Sequence, residues 1–206
     1  MKKIICLGIM IILLGVLSGC GGVEPEKRAY PLIVSFDWKN EKYQVIYGMA
    51  NLAVSTGQGK SGEESGNSQQ TVLFAGNSME EILKMYNQTQ EYYLDQGHIQ
   101  AVILGEALLG NQKACQEILD YLESSPVIGD GAAVFSCEDP ENIMELNGGR
   151  IESLGTYLTG IYENRPGGRS KEMVTLRKVY RSWHENEETG KLPVLDAKEN
   201  FPEISA

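Results

Sequence analysis

Residues 99–104 read Ile99-Gln100-Ala101-Val102-Ile103-Leu104, and this short apolar run decides the fold of the chain. Its Ala-Val-Ile-Leu core lacks the alternation of apolar and polar side chains that is typical of a strand with one solvated face. We therefore predict a strand over Ile99–Leu104 that is buried on both faces and lies at the centre of a sheet.

Amphipathic helices are predicted on both sides of this strand. Before it, Ser78 and Glu81 form a capping box, and apolar residues recur at helical spacing from Ile82 to Leu94. We expect that helix to continue until the Asp95-Gln96-Gly97 stop. After the strand, a second helix is predicted to end near Ser124, with an inner stripe made of Cys115, Ile118, Leu119 and Leu122.

Four further strands complete the predicted sheet. Leu32–Phe36 and Tyr43–Met49 are expected to form an amino-terminal β-hairpin, with the polar residues Asp37–Lys42 as its turn. Thr71–Ala75 and Ala132–Ser136 flank the two helices, and this alternation of strands and helices indicates βαβ units. The predicted fold class is therefore α/β (α+β), with a mixed, partly parallel sheet of about five strands packed with helices.

The carboxyl-terminal third is predicted to be mainly helical. Asp139 caps a short helix that ends at Leu146, and a further helix carries Leu154 and Leu158 on its apolar stripe. The segment from Met173 to Trp183 fits a helix, although its β-branched residues also allow a strand. A short terminal strand is expected at Leu192–Leu195.

Residues 1–19 are predicted to be a signal peptide. Its apolar segment Ile4–Leu17 would span about 21 Å as a helix, less than the ~30 Å interior of a bilayer. The segment ends in Leu17-Ser18-Gly19-Cys20, which resembles the lipobox of bacterial lipoproteins, where the cysteine is diacylated. We interpret Cys20 as a lipidation site, against the alternative of an ordinary secretory signal in which Cys20 has no role.

The mature chain is predicted to consist of a lipidated spacer, residues 20–29, and a single domain, residues 30–206. Within the domain, residues 55–70 contain almost only small and polar side chains and are expected to form a mobile loop. The Gly57–Ser61 segment of this loop ends in Gly-Lys-Ser, as a phosphate-binding loop does. However, Val54 stands where that motif requires a glycine, so we reject nucleotide binding.

Charge and cysteine content exclude several functions. The formal net charge of −10 becomes −12 without Lys2 and Lys3 (−10 − 2), and such an acidic chain is not expected to bind nucleic acid. No Cys-x-x-Cys motif or Cys/His cluster is present, so no metal or cofactor is predicted. Cys115 and Cys137 are either a disulfide of an exported protein or two buried free thiols.

No residue is predicted to be catalytic. His98 and Glu106 flank the central strand, but a rise of about 3.3 Å per residue keeps them more than ~20 Å apart, too far to share acid–base chemistry. Asp37 lies at the end of a predicted strand, where turn chemistry accounts for it. Asp37, His98 and Glu106 are therefore candidates only for a structural motif.

The order of several segments resembles a known family. After the lipobox come Leu32–Asp37, then Phe74–Ser78 opening a helix, then Gly97–Glu106. In this order and spacing they resemble the N-terminal domain of the C subunits of spore germinant receptors, the Ger(x)C lipoprotein family. The resemblance covers about Ala29–Leu146, extends more weakly to Val194, and implies that the chain corresponds to the N-terminal domain only.

The resemblance implies a non-enzymatic lipoprotein in the membrane system of the spore. Such a protein would be anchored on the extracytoplasmic face of the cytoplasmic membrane, which becomes the spore inner membrane. It would act beside integral-membrane germinant receptor subunits in nutrient-triggered germination. Two alternatives remain open, namely a small-molecule-binding lipoprotein associated with a membrane transporter and a cell-surface hydrolase.

Overall fold

The strand predicted at the centre of the sheet lies in the middle of seven hydrogen-bonded strands. The computed structural model describes residues 22–50, 70–146, 153–164, 173–186, 188–198 and 201–205. The predictions for the signal peptide, for Cys20 and for the loop over residues 55–69 lie outside the described residues.

The strands and helices within these ranges alternate along most of the chain. The strands are β1 (Arg28–Ala29), β2 (Pro31–Lys39), β3 (Lys42–Met49), β4 (Thr71–Gly76), β5 (Tyr93–Leu94), β6 (Ala101–Gly105), β7 (Ala133–Cys137), β8 (Val194–Lys198) and β9 (Phe201–Ser205). The α-helices are α1 (Met79–Thr89), α2 (Glu106–Leu109), α3 (Gln112–Ser124), α4 (Pro140–Glu145), α5 (Leu154–Glu163) and α6 (Leu176–Asn186). The predicted mixture of strands and helices is confirmed.

The main sheet has the order β4-β3-β2-β6-β7-β8-β9. Strands β2, β6, β7 and β8 run parallel, whereas β3, β4 and β9 are antiparallel to their neighbours. The predicted mixed sheet and amino-terminal hairpin are therefore confirmed. Because parallel strands end at the same side, the carboxyl ends of β2, β6 and β7 form one edge of the sheet, which we call the carboxyl edge.

Each face of the sheet is covered by a different set of helices. Val34 and Val102 point to the face packed against α1, α3 and α6, whereas Ile33 and Ile103 point to the face packed against α4 and α5. Adjacent strand residues point to opposite faces, so a strand apolar at every position is buried on both sides. This arrangement explains why the Ala-Val-Ile-Leu run of β6 shows no polar alternation.

The amino-terminal hairpin is longer than predicted, and the turn expected over Asp37–Lys42 is wrong in its extent. The turn consists of Asn40 and Glu41 alone, both with positive φ angles of 52° and 61°. A two-residue turn of this kind matches the twist of the flanking strands, so pairing continues to the turn itself. Trp38 packs edge-on against Tyr43 with ring centroids 4.8 Å apart. Asp37 is therefore a strand residue.

Helix α1 ends earlier than predicted. Its capping box is present, because the Ser78 hydroxyl accepts a hydrogen bond from the Glu81 amide at 3.2 Å. However, the helix ends at Thr89, and Tyr93–Leu94 forms a short parallel ladder with Arg28–Ala29 instead of extending the helical stripe. The apolar spacing could not reveal this pairing because its partner strand is distant in sequence.

In the carboxyl-terminal part, the segment Met173–Trp183, which fitted either a helix or a strand, is mainly helical, and one strand was not predicted. The segment that fitted either a helix or a strand is the helix α6. The predicted terminal strand is the first half of the hairpin β8–β9, and its second half was not predicted. This hairpin, added to the five predicted strands, accounts for the larger sheet.

The two described cysteines are free and buried. Cys115 lies in the core on one face of the sheet and Cys137 in the core on the other face. The sheet therefore separates the two thiols, and the alternative of buried free thiols is the correct one. Burial raises the pKa of Cys115 to about 11 and that of Cys137 to about 12, so both thiols are protonated at neutral pH.

Candidate functional site

The most unusual polar residue of the core is Asp37, at the carboxyl edge of the sheet. The exposed fraction of its side chain is 2%. Because β2 pairs in parallel with β6, Asp37 lies next to the carboxyl end of β6. Gly105 lies beside it there and is paired in register with Cys137 of β7. A side chain on Gly105 would overlap the Asp37 carboxylate, so the glycine provides the space that this carboxylate occupies.

The surroundings of Asp37 disfavour its charge. Burial raises the pKa of the carboxyl above its ordinary value of 3.8, and the negative charge of Asp139 acts in the same direction. The backbone amide of Trp38, the positive charge of Lys39 and the backbone amide of Leu108 oppose this rise. The Oδ1 atom has no hydrogen-bond partner. A buried carboxylate in this state is costly unless neighbouring donors compensate it.

The carboxyl edge also carries exposed charges around Asp37. Lys39 Nζ lies 3.8 Å from Asp139 Oδ1 and 3.4 Å from Glu141 Oε2. The Gln44 amide donates to the same Glu141 oxygen at 3.4 Å. These contacts connect the end of the amino-terminal hairpin to the start of α4. Because the charged groups are exposed to solvent, the contacts contribute little to the stability of the fold.

A nucleophilic thiolate and a metal-binding cluster are both missing from this edge, within the residues that the structure describes. Cys137 is the nearest thiol, and its raised pKa leaves it without nucleophilic thiolate. Within the described ranges, no group of three or more His, Cys, Asp and Glu side chains is placed to hold a metal ion. The close packing of the Asp37 carboxylate on Gly105 fixes β2 beside the end of β6 at this edge.

The three residues proposed for a structural motif are only partly brought together. Asp37 and Glu106 lie at the carboxyl edge, where Glu106 is the first residue of α2 and is exposed. His98 lies at the opposite end of β6, exposed, with its ring edge-on to Tyr30 at 5.0 Å. Cys20, which the sequence predicts as a lipidation site, lies outside the described residues.

The sequence analysis missed an ion pair that fastens the amino-terminal segment. Arg28 Nη1 lies 2.8 Å from Asp95 Oδ2, and the Arg28 Nε and Nη2 groups donate to the Val23 carbonyl at 2.9 and 2.6 Å. The hydrogen bond from Arg28 holds the pKa of Asp95 below its ordinary value. The partners are far apart in sequence, so no local pattern could have identified them.

A groove between α5 and the hairpin β8–β9 is the second candidate site. Its volume is about 640 Å³, which lies within the range of small-molecule sites. Apolar side chains line it together with Lys191, Lys198 and Glu203, and Tyr157, Ile161, Leu192 and Phe201 are among the apolar residues. The sequence analysis did not identify this groove because five of its thirteen lining residues belong to the unpredicted strand β9.

Comparison with known proteins gives one match. A family model described as the spore germination protein N-terminal domain matches residues 21–197. No curated protein and no solved structure matches the chain. The matched range includes the strands that carry Asp37 and Gly105, the helices on both faces of the sheet and most of β8.

Proposed function

Because this chain belongs to the family of spore germination protein N-terminal domains, with a role in germination, we propose that it is a lipid-anchored, non-catalytic component of a germinant receptor complex. The family match over residues 21–197 is the observation that carries this proposal. The complex would support the response of the spore to nutrients.

The proposed anchor is the lipid attached to Cys20. Within the described ranges, no helix is long and apolar enough to cross a bilayer. Two acyl chains would supply membrane affinity at about 0.8 kcal/mol per buried methylene. The proposed location is the extracytoplasmic face of the cytoplasmic membrane, which is the spore inner membrane after sporulation.

The proposal assigns no catalytic role to the titratable groups of the core. Asp37 is the residue whose burial most resembles that of an active-site carboxylate, yet it faces a glycine and a protonated thiol. His98 and His184 are exposed and distant from it, and His184 lies 3.0 Å from Glu123 on the helical surface. A rigid domain of this kind is suited to presenting surfaces to other subunits.

The proposed partners are the integral-membrane subunits of the germinant receptor. The formal net charge of −10 argues against nucleic acid as a partner. Lipidation would confine the domain to the membrane surface, where its effective concentration near membrane-embedded subunits is high.

Affinity capture from sporulating cells tests this proposal. The tagged full chain is crosslinked in membranes, purified and analysed by mass spectrometry, with Cys20→Ala as the unlipidated control. We expect polytopic germinant receptor subunits to be recovered with the wild-type chain and to be lost or reduced with Cys20→Ala. Recovery of a transporter permease alone would contradict the proposal.

The groove beside β8–β9 favours a second candidate, a small-molecule-binding lipoprotein that serves a membrane transporter. Its volume of about 640 Å³ and its mixture of aromatic and charged side chains would suit a small polar ligand. Lys191 adds a positive charge to the groove, whereas Lys198 is paired with Glu203, which lines the same groove. Titration calorimetry with amino acids and sugars checks this candidate. Tight binding that is lost in Tyr157→Ala would support it, whereas absence of heat would leave the receptor proposal preferred.

A further inference from the structure

Exposed apolar residues cluster where the chain enters the fold. Among the described residues, six large apolar side chains are exposed, and four of them lie in one region, namely Val23, Tyr92, Tyr93 and Val127. We call these four residues the amino-edge patch. Their exposed fractions are 38, 48, 52 and 52%, respectively. The other two, Leu73 and Phe201, lie on β4 and β9 at the two outer strands of the sheet.

A chain of contacts joins the members of this patch. Arg28 binds the Val23 carbonyl and the Asp95 carboxylate, and its backbone pairs in register with Tyr93. Asp95 in turn accepts a hydrogen bond from the Gly97 amide at 3.1 Å. Gly97 lies beside the backbone carbonyl of Val127. The patch is therefore one region at the amino ends of the parallel strands, opposite the carboxyl edge.

The distance from Cys20 to this patch is short. Val23 is already fastened to the domain by two hydrogen bonds from Arg28 at 2.9 and 2.6 Å. Val23 is the third residue after Cys20, and an extended chain spans at most about 11 Å over those three steps. A lipid on Cys20 would therefore hold the patch close to the bilayer surface.

We propose that the amino-edge patch docks into the membrane–water interface of the bilayer that holds the Cys20 lipid. Tyrosine suits this zone because its ring is apolar and its hydroxyl remains hydrated. The inference rests on the proposed lipidation of Cys20, since the acidic chain gains no electrostatic attraction to anionic headgroups. In this orientation the carboxyl edge, at the other ends of the parallel strands, faces away from the bilayer.

Depth-dependent fluorescence quenching tests the docking. Lipidated full-length protein is reconstituted into phosphatidylcholine–phosphatidylglycerol vesicles that contain brominated acyl chains, and tryptophan emission is compared with that in unbrominated vesicles. The probe is Tyr93→Trp, with Tyr92→Trp as a second position. The matched control is Phe201→Trp, which lies at the carboxyl end of the sheet with a comparable exposed fraction of 40%. The emission of the wild-type chain, which comes from Trp38 and Trp183, is subtracted as the background.

We expect brominated vesicles to cause a loss of the emission added by Tyr93→Trp or Tyr92→Trp and no loss of that added by Phe201→Trp. Vesicle sedimentation separates the two hypotheses. Protein that sediments with vesicles but shows no quenching at position 93 or 92 would overturn the docking and leave the anchor intact. Protein that fails to sediment would overturn the lipid anchor, and the docking with it.

Discussion

Gly105 and Asp37 occupy a space that holds only one side chain. The Asp37 carboxylate lies where a Cβ on Gly105 would stand, and the Cβ of Asp37 itself would be 3.0 Å from that position. At Gly105 the backbone is extended, with φ of −66°, a conformation that any residue can adopt. A glycine is therefore required at this position by packing and not by backbone conformation. The two residues come from the two sequence segments, Leu32–Asp37 and Gly97–Glu106, whose order suggested the family.

Gly105→Ala should therefore destabilise the fold through overlap with Asp37. We expect a loss of about 1–3 kcal/mol in the free energy of unfolding, which is typical of overpacking in a core. Chemical denaturation of the domain measures it. The matched control is Gly129→Ala, where nothing lies within 4 Å of an added Cβ and the change should be nearly neutral.

A double-mutant cycle isolates the contact between the two residues. In an Asp37→Ala background most of the overlap is absent, so Gly105→Ala should cost less than it does in the wild type. An equal cost in both backgrounds would show that the glycine is needed for another reason.

The buried carboxyl of Asp37 should make stability depend on pH. Its folded-state pKa is raised, so its contribution is fully present below the unfolded value of 3.8 and is lost as pH rises through the folded value. Unfolding of wild type and Asp37→Asn is measured from acid to neutral pH. The stability of the wild type relative to Asp37→Asn should fall as pH rises over this window, and a rise would contradict a raised pKa.

The two core thiols should be unreactive in the folded protein. Burial keeps Cys115 and Cys137 protonated, and the sheet separates them. Maleimide labelling at neutral pH should leave both unmodified until denaturant is added, after which both react. A disulfide-linked peptide containing both residues in a non-reducing digest would contradict the placement of these side chains.

Close packing of α5 on β2 gives another prediction. An added Cβ at Gly155 would overlap the backbone carbonyl of Leu32, whereas at Gly160 it would meet only the end of the Asn164 side chain at 3.0 Å. Gly155→Ala should cost about 1–3 kcal/mol despite the higher helix propensity of alanine. Gly160→Ala, in the same helix, should be neutral or stabilising by up to about 1 kcal/mol. Thermal unfolding compares the two, and equal effects would contradict the close approach.

The sequence predicted those elements whose signals are local. The capping box of Ser78 and the apolar stripe around Ile118 reflect contacts within one element or with one core face. The apolar run of β6 reflects burial on both faces of the sheet. The burial of Asp37 could not be predicted this way. In the sequence alone, Asp37 begins a polar segment that favours a turn, and only the pairing of Trp38 with Tyr43 shows that the strand continues past Asp37.

Two remaining errors have their origin in strand pairing. Tyr93–Leu94 leaves the helical stripe because Arg28–Ala29, distant in sequence, supplies a strand partner. The strand β9 includes Pro202, which local signals disfavour in a strand, and it is paired with β8. The groove between that hairpin and α5 therefore became visible only in three dimensions.

If the chain acts in germination as a lipid-anchored receptor component, spores that lack it should respond poorly to nutrients. Such spores are complemented with wild type or with Cys20→Ala, and the nutrient-triggered loss of optical density is measured, with a nutrient-independent trigger as the control. We expect a defect in nutrient germination that wild type rescues and Cys20→Ala does not, with the nutrient-independent response intact. Normal nutrient germination without the chain, or full rescue by Cys20→Ala, would contradict it.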